Sequence, residues 1–207
     1  MRAWAIIPAK CFERAKSRLA PALSAPERRA LAEEMFRTVL AAALGSTRID
    51  GALVITECPT VTRLAVAAGA RVIADAPAGL LGDSVDAALA ALPTGARAAV
   101  VLMGDLPGLT TGDVDALLDR LEGSQVVLAP DRQQEGTNAL ALHLPPAIQT
   151  AFGRRDSFSE HLRRCRDAQI ETATLTTAAL AFDVDWPEDV ALIARGAGDT
   201  VRRRTAS

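Results

Sequence analysis

The chain of 207 residues has no tyrosine, two histidines and three cysteines. Each scarcity narrows the chemistry. The missing tyrosine, beside abundant alanine, reflects genomic base composition rather than function. His143 and His161 have no serine or cysteine partner at a recognisable motif, and neither G-x-S-x-G nor H-E-x-x-H occurs, so hydrolase readings are weak and both histidines read as structural. Cys11, Cys58 and Cys165 lie far apart in sequence with no C-x-x-C pair, which leaves zinc and thioredoxin-type chemistry unsupported. A sparse, odd cysteine count fits a reducing compartment. The N-terminus opens directly on a strand-like run, and no stretch approaches the roughly 18 apolar residues of a membrane span. The expected location is therefore cytoplasmic. The net charge of −2 points to neither nucleic acid nor an anionic membrane as partner. Neither the P-loop spacing G-x-x-x-x-G-K-[ST] nor the dinucleotide fingerprint G-x-G-x-x-G is found.

What is present reads as a globular α/β protein. Apolar residues make up 49% and charged residues 23%, ordinary values for a folded domain. A domain of this length buries roughly 70% of its unfolded surface and needs no staples. One domain is expected over residues 1–196, followed by a basic, frayed tail over 197–207 that carries Arg202, Arg203 and Arg204. Short apolar runs at 3–7, 52–56, 71–74, 98–103, 125–129 and 139–142 mostly lack polar alternation, as strands buried on both faces do. Amphipathic segments at 25–44, 60–68, 84–92, 112–121, 157–168 and 187–194 read as helices; the first is announced by Ser24 with Glu27 three residues on. The alternation predicts a mostly parallel sheet with helices on both faces. Residues 138–144 follow 125–129 without a helix between them and so read as antiparallel or as an excursion.

In open α/β sheets, ligands bind beyond the carboxyl ends of the strands. After the first run, Lys10, Arg14, Lys16 and Arg18 place four cations within nine residues, either on a solvated loop or as a phosphate clamp. After the fourth run comes Met103-Gly104-Asp105-Leu106-Pro107; Asp105 either caps the next turn or reaches a ligand such as Mg²⁺. Asp183 and Asp185, two apart, share one face of an extended segment, and a divalent cation would resolve their repulsion. The alternative makes Asp185 the cap of the helix starting near Pro187, which leaves Asp183 unexplained. Gly136, Thr137 and Asn138 form either a plain turn or a ligand contact. Arg154 and Arg155 with Ser157 at a helix start suit an anion or a capped surface helix equally.

Taken in order, these stretches resemble the 2-phospho-L-lactate guanylyltransferase family of deazaflavin coenzyme F-420 biosynthesis. The likeness runs from Ile7 to Leu192. It rests on Ile7-Pro8-Ala9-Lys10 with Ala15-Lys16-Ser17-Arg18-Leu19, on Glu27-Arg28, on Asp105-Leu106-Pro107 and on Pro130-Asp131-Arg132. It continues with Gly136-Thr137-Asn138-Ala139-Leu140, Ser157-Phe158 with His161, and Asp183-Val184-Asp185 with Pro187-Glu188-Asp189. The resemblance implies a nucleotide-diphospho-sugar transferase (GT-A-like) Rossmann-type fold. It implies transfer of GMP from GTP to 2-phospholactate, phosphoenolpyruvate or 3-phosphoglycerate, with pyrophosphate released. Carried over, Asp105, Asp183 and Asp185 would bind Mg²⁺; Lys10, Lys16, Ser17 and Arg18, with Asp105, would meet the nucleotide; Lys10, Lys16, Arg18 and Asp105 would carry catalysis. Thr137, Asn138, Gly153 and Ser157 would hold the acid. Asp86, in Val85-Asp86-Ala87-Ala88-Leu89 where the family has Leu-Asn-Ala-Ala-Leu, would take the base contact. A molybdenum-cofactor guanylyl- or cytidylyltransferase is the rival enzyme, but would want a glycine-rich first loop. A non-catalytic nucleotide-binding module is the third reading. The sequence leaves the oligomeric state open, a homodimer included.

Overall fold

The first strand, β1 (Ala3–Pro8), sits near the middle of a seven-stranded sheet, and every later element is placed by reference to it. The computed structural model describes residues 2–75 and 79–193. The other strands are β2 (Ile49–Ile55), β3 (Arg71–Ile73), β4 (Ala98–Leu102), β5 (Val126–Pro130), β6 (Thr137–His143) and β7 (Thr172–Thr174). Their order across the sheet is β3-β2-β1-β4-β6-β5-β7. Strands β2 and β4 both pair with β1 in parallel, so the chain winds outward in two directions from the β1/β4 boundary. That boundary is the topological switch point where such sheets open a ligand crevice. Strand β6 runs antiparallel to both neighbours, β4 and β5. This follows from the short link between β5 and β6: with no crossover helix, the chain must turn back.

Six helices fill the gaps: α1 (Ala25–Gly45), α2 (Pro59–Ala67), α3 (Leu81–Ala90), α4 (Thr111–Leu121), α5 (Ser157–Asp167) and the single turn α6 (Ala178–Ala181). A further helical segment covers 187–193. The Ser24/Glu27 pair forms the expected capping box at the start of α1, with Pro26 in its first turn. Successive strand residues point to opposite faces. On β1, Ala5 and Ile7 pack with α1, α2 and α4 through Phe36, Val39, Val61 and Leu117, and Ile6 packs with α3 and α5 through Val85, Leu89 and Phe158. Both faces are covered, which explains why the strand sequences are continuous apolar runs.

Two expectations are revised. Strand β7 and helix α6 escaped the pattern reading because each is short, and the Thr172-Ala173-Thr174 strand has no apolar run. The cysteines expected to stand apart do not: Cys11 and Cys58 are joined by a disulfide, Cα atoms 5.0 Å apart across 47 residues of sequence, and Cys165 remains a buried free thiol. Sequence distance hid the pair because β1 and β2 are neighbours, so the residues leaving their ends meet. Residue 194, expected to close the last helix, and the tail at 197–207 lie outside the described residues. No helix among the described residues is long and apolar enough to cross a membrane.

Candidate active site

The segment leaving β1 is pinned at three points along the cation cluster. Cys11 is tied to Cys58, at the start of α2; Phe12 packs against Phe36 of α1, ring centroids 5.8 Å apart; and Leu19 is buried beside Met35 and Val184. Between these anchors Lys16 adopts a left-handed conformation, φ 55°, which is uncommon for a residue with a side chain and is held by its surroundings. Its ammonium reaches Asp105 Oδ2 at 2.7 Å and Asp185 Oδ1 at 2.9 Å. Burial works to lower the Lys16 pKa, but the two carboxylates outweigh it and hold the amine above its ordinary value.

Asp105 lies where β4 ends. A Cβ at Gly104 would come within 3.0 Å of the Pro8 carbonyl oxygen, so the two strands leave the sheet in close contact at the switch point. Asp105 does not cap the following helix; Thr110 and Asp113 cap α4 themselves. Asp105 Oδ1 is buried and has no hydrogen-bond partner, the one such side-chain atom found among the described residues. An unsatisfied buried carboxylate oxygen costs several kcal/mol unless something cationic completes it.

Asp183 and Asp185 occupy the extended stretch between α6 and the helical segment 187–193, with Val184 between them buried against Leu19 and Met35. Burial, then Asp105 and Asp185, push the Asp183 carboxyl up to about 6, against its own hydrogen bonds. Asn138 donates to the Leu180 carbonyl at 3.0 Å and toward Asp183 Oδ1 at 3.4 Å. Capping of the last helical segment falls to Asp189. Its Oδ2 accepts from the backbone N–H of Asp185 at 2.9 Å and of Trp186 at 2.8 Å, and Oδ1 pairs with Arg132. Burial opposes ionisation of Asp189, yet these donors hold its pKa below the usual carboxylate value. Asp185 is thus left for Lys16 and for Arg18, whose Nη1 lies 3.3 Å away. Arg18 also stacks over exposed Trp186, 5.1 Å to the ring.

A second group forms on the other face of the sheet. The register between β5 and β6 shifts between Ala129/Ala139 and Pro130/Thr137, leaving Asn138 as an extra residue. Strict alternation from Ala139 and Leu140 would send Thr137 toward α6 and Asn138 toward α5; the bulge reverses them. Thr137 Oγ1 lies 3.0 Å from His161 Nδ1 and 3.3 Å from Ser157 Oγ, both on α5. The turn before β6 is closed by Asp131, which accepts from Glu135 and Gly136 N–H groups, while Phe158 N–H on α5 donates to the Glu135 carbonyl. Gly153 has φ +85°, and a Cβ there would meet Leu81 N at 2.9 Å, so both backbone and space call for glycine.

Of the residues expected to act, the structure gathers Lys16, Arg18, Asp105, Asp183, Asp185 and Asn138 at one end of β1, β4 and β6. It brings Thr137 and Ser157 together. Lys10 and Ser17 are exposed on the same loop. Asp86 is engaged elsewhere: its carboxylate accepts the Thr150 N–H at 2.9 Å, fastening α3 to the segment before Gly153. Burial raises its pKa, opposed by the Thr150 bonds. The aspartates do not form a closed chelate here, because the Lys16 ammonium stands between Asp105 and Asp185. Among the described residues, the set of three metal-capable side chains with mutually close ligand atoms is Cys11, Glu13 and Cys58, two of which are committed to the disulfide.

The family described as "Guanylyl transferase CofC like" matches residues 3–204. The chain belongs to that guanylyltransferase family. A phosphoenolpyruvate guanylyltransferase of Sphaerobacter thermophilus is 35% identical over 186 residues, covering 90% of this chain and 89% of that protein. A 3-phospho-D-glycerate guanylyltransferase of Phenylobacterium zucineum is 39% identical over 196 residues, covering 93% and 88%. Among solved structures, a putative nucleotide-diphospho-sugar transferase from Desulfovibrio desulfuricans G20 superposes with a TM-score of 0.78 at 17% identity, over 95% of this chain and 88% of that one. That likeness bears out the expected GT-A-like fold. In this guanylyltransferase the aspartates expected to hold Mg²⁺ come from two separate parts of the chain, the exit of β4 and the stretch after α6, which is why only a folded view joins them.

Proposed function

We propose that this guanylyltransferase transfers GMP from GTP to the phosphate of a small phosphorylated carboxylic acid, in deazaflavin coenzyme F-420 biosynthesis. The acceptor class is 2-phospholactate, phosphoenolpyruvate or 3-phosphoglycerate. The observation that carries the site assignment is Asp105 Oδ1, a buried carboxylate oxygen without a partner, facing a neighbourhood of two further aspartates. The donor set is all hard oxygen, which fits Mg²⁺. Asp105, Asp183 and Asp185 would hold it, and when bound it would offset negative charge on the triphosphate and polarise the reacting phosphorus.

The residues of the chain account for the remaining work. Lys16 and Arg18 stand over the aspartates with Lys10 and Ser17 exposed nearby, suited to phosphate oxygens. A phosphate oxygen of the acid attacks the α-phosphorus of GTP. The new P–O bond forms there as the bond to the β-phosphate bridge oxygen breaks, and pyrophosphate leaves. The acceptor phosphate has a second pKa of about 6 and is already largely ionised at neutral pH, so no general base is required. Thr137 and Ser157 with Gly153 would bind the acid, and Asn138 would steady Asp183. Alignment and charge neutralisation then supply the catalysis. Asp86 supports the acid side by holding Thr150. We take residues 1–196 as the catalytic domain, with 197–207 as an appended tail. A cytoplasmic setting no longer draws support from unpaired cysteines, since Cys11 and Cys58 pair.

The test is pyrophosphate release with GTP, Mg²⁺ and each of the three acids in turn. Release is expected with at least one acid. No release with any of them, from well-folded protein, refutes the transferase reading; release with CTP but not GTP redirects it to another nucleotide.

A further inference from the structure

The sequence points to a structural His161, and its burial agrees: it is fully buried on α5, its ring against Phe152 at 5.0 Å. Its hydrogen bonds say more. The backbone N–H of Ala151 donates to His161 Nε2 at 2.8 Å. A backbone amide can only donate, so Nε2 must present a lone pair, and a neutral imidazole then carries its hydrogen on Nδ1. Burial, then Arg164, push the imidazolium pKa down to about 4, against Ser157 and Glu160, so the ring is neutral at physiological pH.

The partner of Nδ1 is Thr137 Oγ1, 3.0 Å away. With the hydrogen on Nδ1, the threonine oxygen must accept. Ser157 Oγ occupies its other accepting direction at 3.3 Å. A hydroxyl has two lone pairs and one hydrogen. The threonine hydrogen cannot point at Nδ1; with the Ser157 hydroxyl donating, both lone pairs are engaged and the hydrogen is left for a third group that accepts.

We propose that His161 is a positioning residue for the acceptor acid: its Nδ1–H fixes Thr137 as a one-way donor, aimed at an anionic oxygen of the substrate. This rests on the reading above that Thr137 contacts the acid. A threonine free to rotate could meet the acid with a lone pair, which repels an anion, or with its hydrogen, which attracts it. The locked arrangement removes the repulsive choice before binding. The lock reaches from the Ala151 backbone, two residues before Gly153, through the ring to the start of β6, so it also fixes the spacing between Gly153 and Thr137.

The first test needs no substitution. Long-range ¹H–¹⁵N spectra of the wild-type protein report which ring nitrogen carries hydrogen, and the chain has two histidines. His143 is an internal contrast, because its Nε2 faces the Leu121 carbonyl at 3.2 Å and must donate. The expected result is opposite tautomers, Nδ1–H for His161 and Nε2–H for His143; an Nε2–H signal at His161 overturns the proposal. The second test uses whichever of the three acids supports turnover. His161→Asn keeps an N–H near the place of Nδ1, and His161→Gln puts its amide near the place of Nε2 instead. His161→Gln is expected to raise the KM for the acid about tenfold, the worth of one hydrogen bond, with the KM for GTP unchanged, and His161→Asn to stay within about threefold. Equal acid KM values for the two variants overturn the proposal. Thr137→Val separates it from the reading beneath: an unchanged acid KM in Thr137→Val refutes the Thr137 contact and leaves the tautomer result standing. If Thr137→Val does raise the acid KM, the Thr137→Val/His161→Gln double variant should be no worse than Thr137→Val alone within about twofold. A further multiplicative loss in the double variant counts against the lock.

Discussion

The ammonium of Lys16 lies 2.7 Å from Asp105 Oδ2, a fully formed ion pair inside a site whose aspartates are suited to a metal. With Asp185 at 2.9 Å on its other side, Lys16 supplies from within the chain the positive charge that the carboxylates lack. A metal ion arriving alone would have to displace it. One arriving with a triphosphate would offer the lysine new anionic partners. Lys16→Met is therefore expected to bind Mn²⁺, in the absence of nucleotide, on the order of tenfold more tightly than wild type, while turnover falls at least a hundredfold. Titration calorimetry without GTP checks the first part, and unchanged Mn²⁺ affinity would remove the idea of Lys16 as a resident cation.

Asp105 is the residue whose loss should separate function from folding most sharply. Its Oδ1 already lacks a partner, so Asp105→Ala removes an unsatisfied buried oxygen together with one arm of the Lys16 bridge. Turnover is expected to fall by roughly a hundredfold or more, with the thermal midpoint changed by only a few degrees. Retained activity would take Asp105 out of the reaction.

Asp189 should behave in the opposite sense, as a residue that costs stability first. It is 4% exposed and receives two backbone N–H groups and Arg132. Asp189→Ala leaves those donors buried without an acceptor, an expected loss of about 3 kcal/mol in urea unfolding. Asp189→Asn keeps the shape and one acceptor oxygen, and should lose about half as much. A neutral Asp189→Ala would mean that other groups fasten the Asp185 backbone.

His161 gives the protein a predictable acid sensitivity. Its folded pKa, about 4, lies below the ordinary 6.5, so the unfolded chain takes up a proton before the folded one does. The stability this contributes is complete above about pH 6.5, declines as pH falls, and is gone near pH 4. The slope is about 1.4 kcal/mol per pH unit, or about 3 kcal/mol in all. Across that window, unfolding free energies of His161→Asn should fall less steeply than those of wild type. Parallel curves would show that the ring is not held neutral by the fold.

The Cys11–Cys58 disulfide encloses α1 and the whole of β2 in a 47-residue loop. In the chain-entropy account, closing such a loop stabilises the fold by about 4 kcal/mol. A reductant should accordingly lower the wild-type thermal midpoint by roughly 10 °C and leave a Cys11→Ser/Cys58→Ser variant unmoved. Equal midpoints for wild type with and without reductant would show that the bond contributes nothing.

Which of these features can be read from residues alone depends on how local their causes are. The parallel core, its helices and the position of Asp105 at a strand exit are local patterns, and the sequence displays them. The choice between cap and ligand for Asp185 was balanced in the sequence because the deciding group, Asp189, acts through its fold. The signal was nonetheless present: an acid two residues after Pro187 is the third-position acceptor of a capping box. The cysteine pair and the engagement of Asp86 with Thr150 were invisible, since both join segments far apart along the chain. The reversal at Thr137 and Asn138 depends on one extra residue in β6, which no hydrophobic period reveals.

That extra residue sets a length scale for the whole site. Thr137, on the side proposed for the acid, and Asn138, on the side of the aspartates, are covalent neighbours with Cα atoms about 3.8 Å apart. The two halves of the site hang on opposite sides of the sheet, one on α5 and the other on α6, and such layers shift against each other as a protein breathes. A shared peptide bond does not stretch. The offset between the two substrates would then be held by bonded geometry rather than by packing, and would tolerate motion in either layer.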